Sequence, residues 1–178
     1  MGDEHMNINS ISIRKMKHTD YEVMALWLST KEVLEFYGGA NSPFTLQQVK
    51  NKYEPRVNGD IPVIPYIVEL DNTPIGFMQQ YKLNEEKQKE FGYPKHSTVY
   101  GMDQFIGYPI FFNKGIGTDM IRKFIKYISQ HKDVDMIILD PAVSNVRAIR
   151  CYEKCGFRKI KKINNGASWL MEYRISHR

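Results

Sequence analysis

The sequence predicts a mixed α/β fold in which helices flank a central sheet. Short apolar segments of strand length alternate with longer segments whose apolar residues recur at the helical period of 3.6. Turn residues such as Asp71-Asn72-Thr73-Pro74 separate these segments. The 178 residues contain no internal repeat or linker, which suits one compact core. We therefore expect a single domain over residues 6–175, with residues 1–5, ahead of a second methionine, as a vector-derived remnant outside the fold.

The periodicity of apolar residues gives the order of the elements. Seven segments have the length and alternation of strands, namely Ile11–Lys15, Tyr66–Leu70, Ile75–Lys82, Val99–Ile106, Met136–Leu139, Phe157–Ile163 and Trp169–Arg174. Four segments have helical spacing, namely Tyr21–Leu28 after a Thr19-Asp20 capping signal, a helix from Leu46 towards Tyr53, a long helix from Gly115 onward, and Asn145–Lys154. The polar residues 83–97 are expected to form a loop. The segment Glu35-Phe36-Tyr37-Gly38-Gly39 is typical of a substrate-facing loop or of a plain helix end.

Composition excludes several classes of protein. There is no run of 18 apolar residues and no basic-then-apolar start of the kind that secretory signals have, which predicts a soluble, cytoplasmic protein. The two cysteines, Cys151 and Cys155, are four residues apart in a helical pattern, so they share a helix face rather than a disulfide. They lack the further ligands that a tetrahedral metal site needs, and no metal is expected. Nothing in the sequence indicates the oligomeric state.

Charge is distributed unevenly along the chain. The formal net charge is +5, but residues 104–178 carry 14 Lys/Arg against 6 Asp/Glu, a balance of +8. Residues 1–103 carry 11 against 14, a balance of −3. A basic half can attract a polyphosphate and a more acidic half can accept a cation, which suits an enzyme with two oppositely charged substrates. Chance scatter of surface charge would give the same pattern.

A glycine turn precedes the long helix. Its residues, Asn113-Lys114-Gly115-Ile116-Gly117-Thr118, would let a ligand approach the backbone closely, and the N–H groups at the helix start would attract an anion. The turn has neither the Walker A nor the Rossmann pattern. By itself it is compatible equally with a phosphate site and with an ordinary joint between strand and helix.

The segment from Asn145 to Phe157 adds a second motif, which is more specific than the glycine turn. It follows Leu139-Asp140-Pro141 and places Asn145 at a helix start, Ala148 three residues on, Tyr152 four further, and Gly156-Phe157 at the next strand. Together with the glycine turn it resembles the second half of the GNAT superfamily of N-acetyltransferases. The resemblance implies a single GNAT domain, with a central, mostly antiparallel sheet flanked by helices and a glycine turn for coenzyme A.

The same resemblance implies a set of acetyl-CoA contacts. Backbone amides of Lys114, Gly115, Ile116, Gly117 and Thr118 would hold the pyrophosphate, Asn145 would meet the pantetheine arm, and Tyr152 would lie near the sulfur. Backbone N–H groups where the strand ends at Phe105 and Ile106 would hold the developing oxyanion. Phe112 stands where the family commonly has Gln or Arg. Without the resemblance, Asn145 is also compatible with an ordinary helix cap and Tyr152 with a core aromatic.

The position of Asp103 limits the class of possible substrates. It lies within the apolar strand Val99-Tyr100-Gly101-Met102-Asp103-Gln104-Phe105-Ile106, and a carboxylate there needs a partner, either a cationic amine or a Lys or Arg of the fold. Nearly the whole chain, Ile11 to Tyr173, resembles the aminoglycoside 6'-N-acetyltransferases, including the acetyltransferase half of a bifunctional resistance enzyme. That resemblance implies aminoglycoside contacts at Tyr37, Tyr53, Gln79, Asp103 and Asp140. Residues 84–96 match no pattern of these enzymes.

The resulting hypothesis is acetyl transfer from acetyl-CoA to the 6'-amine of an aminoglycoside, with Asp103 as the base and Tyr152 as the acid. A covalent route through Cys151 or Cys155 lacks a nearby histidine to activate the thiol. Two other functions remain open at this point. One is acetylation of a peptide N-terminus or a polyamine. The other is a non-catalytic module that binds acyl-CoA or nucleic acid through basic residues such as Arg158, Lys159, Lys161 and Lys162.

Overall fold

The predicted α/β class is confirmed. The computed structural model describes residues 11–37, 43–130 and 133–176. Its strands form one sheet in the order β1-β2-β3-β4-β5-β7-β6. They are β1 (Ile11–Lys15), β2 (Val63–Leu70), β3 (Thr73–Lys82), β4 (Val99–Ile106), β5 (Met136–Leu139), β6 (Arg158–Ile163) and β7 (Ser168–Arg174). The helices are α1 (Tyr21–Trp27), α2 (Lys31–Leu34), α3 (Leu46–Val57), α4 (Glu85–Phe91), α5 (Ile116–Ser129) and α6 (Val146–Lys154).

The sheet is mostly antiparallel, as expected. The pairs β1–β2, β5–β7 and β6–β7 are antiparallel. Backbone hydrogen bonds from Gly107 N–H to Ile75 O (2.7 Å) and from Leu83 N–H to Val99 O (2.8 Å) give β3 and β4 the same antiparallel sense. The exception is the parallel pair β4–β5, whose register joins Val99 to Met136 and Gly101 to Ile138.

The hairpin between β2 and β3 is tighter than the sequence indicates. Its turn is only Asp71 and Asn72, which both have positive φ (49° and 64°), and Thr73 and Pro74 already belong to β3. Two left-handed residues make the turn that matches the twist of adjacent strands, and Asp and Asn tolerate this conformation.

The Thr19-Asp20 signal correctly marks the start of α1, but Asp20 does not cap the helix with its side chain. Its carboxylate instead accepts hydrogen bonds from Arg14 (2.8 and 2.9 Å) and from the Lys17 N–H (2.8 Å). Arg14 also contacts Glu69 of β2. Burial alone would raise the pKa of Asp20, but the hydrogen bonds from Arg14 and Lys17 outweigh burial and lower it. This network ties the start of α1 to β1 and β2.

The prediction of a plain loop over residues 83–97 is wrong, because α4 lies within it. The Asn84 side chain accepts a hydrogen bond from the Lys87 N–H (2.8 Å) and caps the helix start. Gly92, with φ +83°, ends the helix. Phe91 packs on a buried cluster that includes Leu83, Val99 and Ile138. The helix is too short and too polar for its period to be recognised in sequence.

The described chain separates into two compact units. The first takes in residues up to Gln79 and Gln104–Met120, and the second takes in Gln80–Asp103 and the residues from Ile121 onward. The first unit has a core around Met24, Trp27 and Phe77, which are fully buried. The second has the cluster on which Phe91 packs. No described helix is both long and apolar enough to cross a membrane. The single domain over residues 6–175 stays a prediction, and residues 1–5 lie outside the described chain.

Candidate active site

Two predicted site residues, Asp103 and Asp140, occupy equivalent places on neighbouring parallel strands of the second unit. Gly101 on β4 pairs with Ile138 on β5, and each aspartate lies two residues beyond its member of that pair. Side chains alternate along a strand, so each aspartate continues one face. That face carries Val99, Met136 and Ile138 of the buried cluster. The two carboxylates therefore project side by side from that face, Asp103 from within β4 and Asp140 from the residue after β5.

Their proximity changes how Asp140 titrates. Surrounding protein raises the pKa of Asp140 to about 6, chiefly by desolvation and then by the charge of Asp103. The residue nevertheless remains exposed at the surface, and Asp103 is half-buried. A half-desolvated pair of carboxylates that a soluble molecule can reach is a site for a cation, because an ammonium group relieves their mutual repulsion.

Tyr81 of β3 lies beside this pair of carboxylates. It was not among the site residues predicted from the sequence. A Cβ built on Gly101 would fall 2.4 Å from the ring of Tyr81 and 2.6 Å from its hydroxyl oxygen, so the ring lies directly over the glycine. Burial raises the pKa of Tyr81, and the charges of Asp103 and Asp140 raise it further. The phenol thus stays protonated beside the two carboxylates. The only sequence signal is a glycine in an apolar strand, which marks a close approach without naming its partner.

Lys87 of α4 is the basic residue whose charge acts on Asp140, lowering the pKa of that carboxyl. Its ammonium lies 2.8 Å from Glu90 and 5.5 Å from the ring centroid of Phe91. Residues 84–96, which match no pattern in sequence, therefore contribute a charge near Asp140.

The first unit collects three other predicted substrate residues, Tyr37, Tyr53 and Gln79. The hydroxyls of Tyr37 and Tyr53 are 3.4 Å apart. Gln79 is buried, and its side-chain oxygen accepts a hydrogen bond from Arg56 (2.6 Å). Arg56 was missed because α3 was expected to end near Tyr53, one turn too early. Gly38 and Gly39, from the same sequence motif as Tyr37, lie outside the described residues.

The glycine turn has a geometry that fits a phosphate. Gly115 has φ +80°, and a Cβ built on it would meet no atom within 4 Å, so the backbone is open to a ligand. Lys114 and Gly115 are exposed, Ile116 is buried, and Gly117 and Thr118 are half-buried. The 14 residues of α5 begin at Ile116, and the first N–H groups of a helix lack partners within it. The turn can therefore hold the diphosphate of coenzyme A.

Strand geometry separates the roles of Phe105 and Ile106. The Gly107 N–H bonds to Ile75, and a Cβ on Gly76 would fall 2.7 Å from the Phe105 carbonyl oxygen, so the polar groups of Phe105 face β3. Backbone polar groups alternate along a strand. The N–H of Ile106 therefore points to the edge of β4 away from β3, and it is the better oxyanion donor of the two.

Asn145 and Tyr152 are placed by α6 in the second unit. Asn145 caps the helix, since its side-chain oxygen accepts a hydrogen bond from the Ala148 N–H (3.3 Å). Tyr152 is buried, with its ring centroid 6.2 Å from that of Phe157. The cap uses one lone pair of the Asn145 oxygen and leaves its amide NH₂ group for other contacts.

The cysteines at the C-terminal end of α6 do not favour covalent catalysis. A hydrogen bond with Cys151 and burial raise the pKa of the Cys155 thiol above its usual range. The thiolate, which is the nucleophile, is therefore disfavoured at neutral pH. Among the residues that the structure describes, no three His, Cys, Asp or Glu side chains group as metal ligands would.

Comparison with known proteins identifies the family. The description "Acetyltransferase (GNAT) domain" matches residues 17–165. The chain belongs to the GNAT acetyltransferases. An aminoglycoside N(6')-acetyltransferase type 1 of Klebsiella pneumoniae is 33% identical over 151 residues, which are 85% of this chain and 75% of that enzyme. This acetyltransferase therefore belongs with the aminoglycoside N(6')-acetyltransferases, and the predicted family is confirmed.

Solved structures of this enzyme group agree with the fold. AAC(6')-Ib in complex with ribostamycin and coenzyme A has a TM-score of 0.79 and 30% identity, over 93% of each chain. AAC(6')-Ib in complex with coenzyme A and kanamycin has a TM-score of 0.76 and 29% identity, over 93% of this acetyltransferase and 95% of that chain. A Bacillus halodurans protein with 18% identity shares the fold, with a TM-score of 0.80.

The coupling of the two carboxylates predicts a specific titration. In Asp103→Asn the neighbouring negative charge is gone, so the pKa of Asp140 should fall below its wild-type value of about 6. Carboxyl-carbon NMR would follow the titration of Asp140 directly. Asp133→Asn, which removes an exposed carboxylate of the same unit, is the control and should leave the titration unchanged. An unaltered Asp140 midpoint in Asp103→Asn would show that the two carboxylates do not interact.

Proposed function

We propose that this chain transfers the acetyl group of acetyl-CoA to the 6'-amino group of aminoglycoside antibiotics and so confers resistance to them. The observation that carries the proposal is the pair of carboxylates, Asp103 within β4 and Asp140 directly after the adjacent parallel strand β5, in an acetyltransferase fold. An aminoglycoside carries several ammonium groups, and two neighbouring carboxylates provide the complementary charge. A peptide N-terminus, with one ammonium group, does not require such a pair.

The proposed acetyl-CoA contacts are those that the turn and α6 offer. Backbone N–H groups of Lys114, Gly115, Ile116, Gly117 and Thr118 hold the diphosphate, and the open backbone at Gly115 supports this assignment. The amide of Asn145 binds the pantetheine arm. Phe112 supplies no polar side chain to the cofactor, so backbone contacts carry the diphosphate binding.

The proposed reaction is a direct transfer. Asp103, directly or through a water, accepts a proton from the 6'-ammonium group, because a protonated amine has no lone pair with which to attack. The amine then attacks the acetyl carbonyl, and the N–H of Ile106, with that of Phe105 as the less favourable donor, stabilises the oxyanion that develops there. Collapse of the tetrahedral intermediate breaks the C–S bond, and Tyr152 donates a proton to the departing thiolate. The second proton that the nitrogen loses as the amide forms restores the phenol, directly or through water.

The proposed substrate contacts are carboxylates, phenols and one amide. Asp140 binds a second ammonium group beside Asp103, and the protonated phenol of Tyr81 lies next to the pair, over Gly101. Tyr37, Tyr53 and Gln79 contact the sugar rings, and Arg56 fixes the orientation of the Gln79 amide.

The reaction as proposed uses acetyl-CoA and the antibiotic, with neither a metal nor nucleic acid nor a membrane. A carboxylate and a phenol are sufficient for both proton transfers. Cys151 and Cys155 form no disulfide, which suits a reducing compartment, and we place the enzyme in the cytoplasm. Fractionation of expressing cells tests the location.

The reaction is tested by release of coenzyme A thiol from acetyl-CoA in the presence of kanamycin. We expect turnover with kanamycin and none with an analogue that lacks the 6'-amine, because only that amine is acetylated. A second control replaces kanamycin with spermidine, a polyamine without sugar rings. Equal turnover with the analogue would refute the assigned position, and turnover with spermidine alone would refute the substrate class.

The role of Asp103 is tested by Asp103→Asn, which keeps the shape and removes the basic oxygen. We expect kcat/KM for kanamycin to fall by about 10² to 10⁴, the usual contribution of general acid or base catalysis, and the low-pH limb of its pH profile to disappear. Asp133→Asn again serves as the matched control. Full activity with an unchanged pH profile would rule out Asp103 as the base.

The role of Tyr152 is tested by Tyr152→Phe, which removes only the hydroxyl. We expect kcat to fall by about 10² or more, with the KM for acetyl-CoA unchanged. The matched control is Tyr173→Phe, whose ring also contacts Phe157 (5.6 Å). A higher KM with the kcat of the wild type would instead make Tyr152 a residue that only positions the cofactor.

A further inference from the structure

A lysine ammonium group lies among three aromatic rings in the first unit. The Nζ atom of Lys52, on α3, is 5.6 Å from the ring centroid of Tyr37, 5.3 Å from that of Phe44 and 5.4 Å from that of Tyr53. Each distance is within the range of about 6 Å over which a cation is attracted by the face of a ring. These three rings, here called the aromatic cage, thus hold one cation that belongs to the protein itself.

Contacts with neighbouring residues hold the three rings of the cage in place. The ring of Tyr37 contacts those of Phe105 (4.7 Å between centroids) and Phe77 (5.8 Å). Tyr53 is fully buried and contacts Phe77 at 5.4 Å. The Phe44 N–H donates to the Leu28 carbonyl (3.1 Å), which holds its backbone, and the Phe44 side chain packs against the same buried cluster as Phe77. A site built before the ligand arrives binds it without an ordering cost.

Lys52 differs from its cage in mobility. The rings are fixed by their neighbours, whereas the ammonium group ends a flexible four-carbon chain on a half-buried residue. An attraction to aromatic faces depends on charge and size and little on the rest of the molecule. An alkylammonium group from solution therefore competes with Lys52 for the same three faces.

We propose that the aromatic cage binds an ammonium group of the substrate and that Lys52 is a tethered competitor that the substrate must displace. The proposal rests on the proposed function, since the aminoglycoside supplies the ammonium group. Lys52 thereby sets the affinity for aminoglycosides. A substrate whose ammonium groups cannot reach the cage gains nothing from displacing it, so Lys52 also acts on specificity.

Competition of this kind has a defined kinetic signature. The apparent dissociation constant of a ligand is its intrinsic value divided by the fraction of protein in which the site is open. Lys52→Met keeps the length of the side chain and removes its charge, so the cage becomes open. We expect the KM for kanamycin to fall by about three- to ten-fold, while kcat and the KM for acetyl-CoA stay unchanged.

Two variants control this experiment. Lys50→Met removes the same charge from the exposed surface of α3 and should leave the KM for kanamycin within about two-fold of the wild type, because screening at ordinary salt weakens the effect of a distant surface charge. Lys52→Arg keeps a cation in the cage and should retain the KM of the wild type. A KM for kanamycin that is unchanged or raised in Lys52→Met would overturn the proposal, as would an equal fall in Lys50→Met. A raised KM for acetyl-CoA would overturn it in favour of an anion-binding role for Lys52.

A second readout does not depend on activity or on a variant that folds. Reductive methylation of the wild-type protein, followed by mass spectrometry, reports how accessible each lysine is. We expect Lys52 to react more slowly than Lys50, and tetramethylammonium chloride to speed the labelling of Lys52 where sodium chloride at equal ionic strength does not. Labelling that tetramethylammonium leaves unchanged would overturn the cage as an ammonium site. If the wild type fails to acetylate kanamycin while this labelling response is present, the proposed function fails and the cage stands.

Discussion

The parallel pairing of β4 with β5 is the constraint on which the proposed chemistry of this acetyltransferase depends. It is the exception among the antiparallel strand pairs described above, and its register puts Asp103 and Asp140 at the same level on one face. A shift of one residue in that register would turn one carboxylate to the opposite face, because the side-chain period is two. The buried side chains Val99, Met136 and Ile138 hold the register. The packing of an apolar cluster thus fixes the spacing of two charges.

Gly101 shows how closely the strand and the charges depend on each other. No side chain larger than hydrogen fits beneath the ring of Tyr81. The charges of Asp103 and Asp140 act on the phenol that lies there and raise its pKa. One glycine therefore lets a protonated phenol lie close to two carboxylates.

Much of the fold follows from local sequence. The seven strands were predicted within a few residues, and α5 buries Ile116, Met120, Phe124 and Ile128 as its period requires. Two kinds of prediction were wrong. One concerned a side chain that has two possible hydrogen-bond partners, and the other concerned a short helix made mostly of polar residues. Asp20 could cap α1 or bind Arg14, and only the fold brings Arg14 close. Helix α4 has seven residues, too few for its period to stand out in a polar segment. Of the residues that were missed, Tyr81 and Arg56 contact partners on other elements, Gly101 and Gln79, and no local pattern encodes such contacts. Lys52 has nearer ring partners, including Tyr53, but an exposed-looking lysine in a helix gives no sign of them.

Strand β6 lies at one edge of the sheet and is rich in lysine. Every side chain from Arg158 to Lys162 is exposed, and Lys159 and Lys162 lie over the ring of Trp169 at 5.2 and 5.4 Å. An edge strand offers backbone hydrogen-bonding groups to any other extended chain, and lysines on such a strand oppose the addition of another one. These lysines, which in sequence resembled part of a basic binding surface, therefore have a protective use that involves no ligand. They keep a partly apolar sheet from growing by one strand into an aggregate.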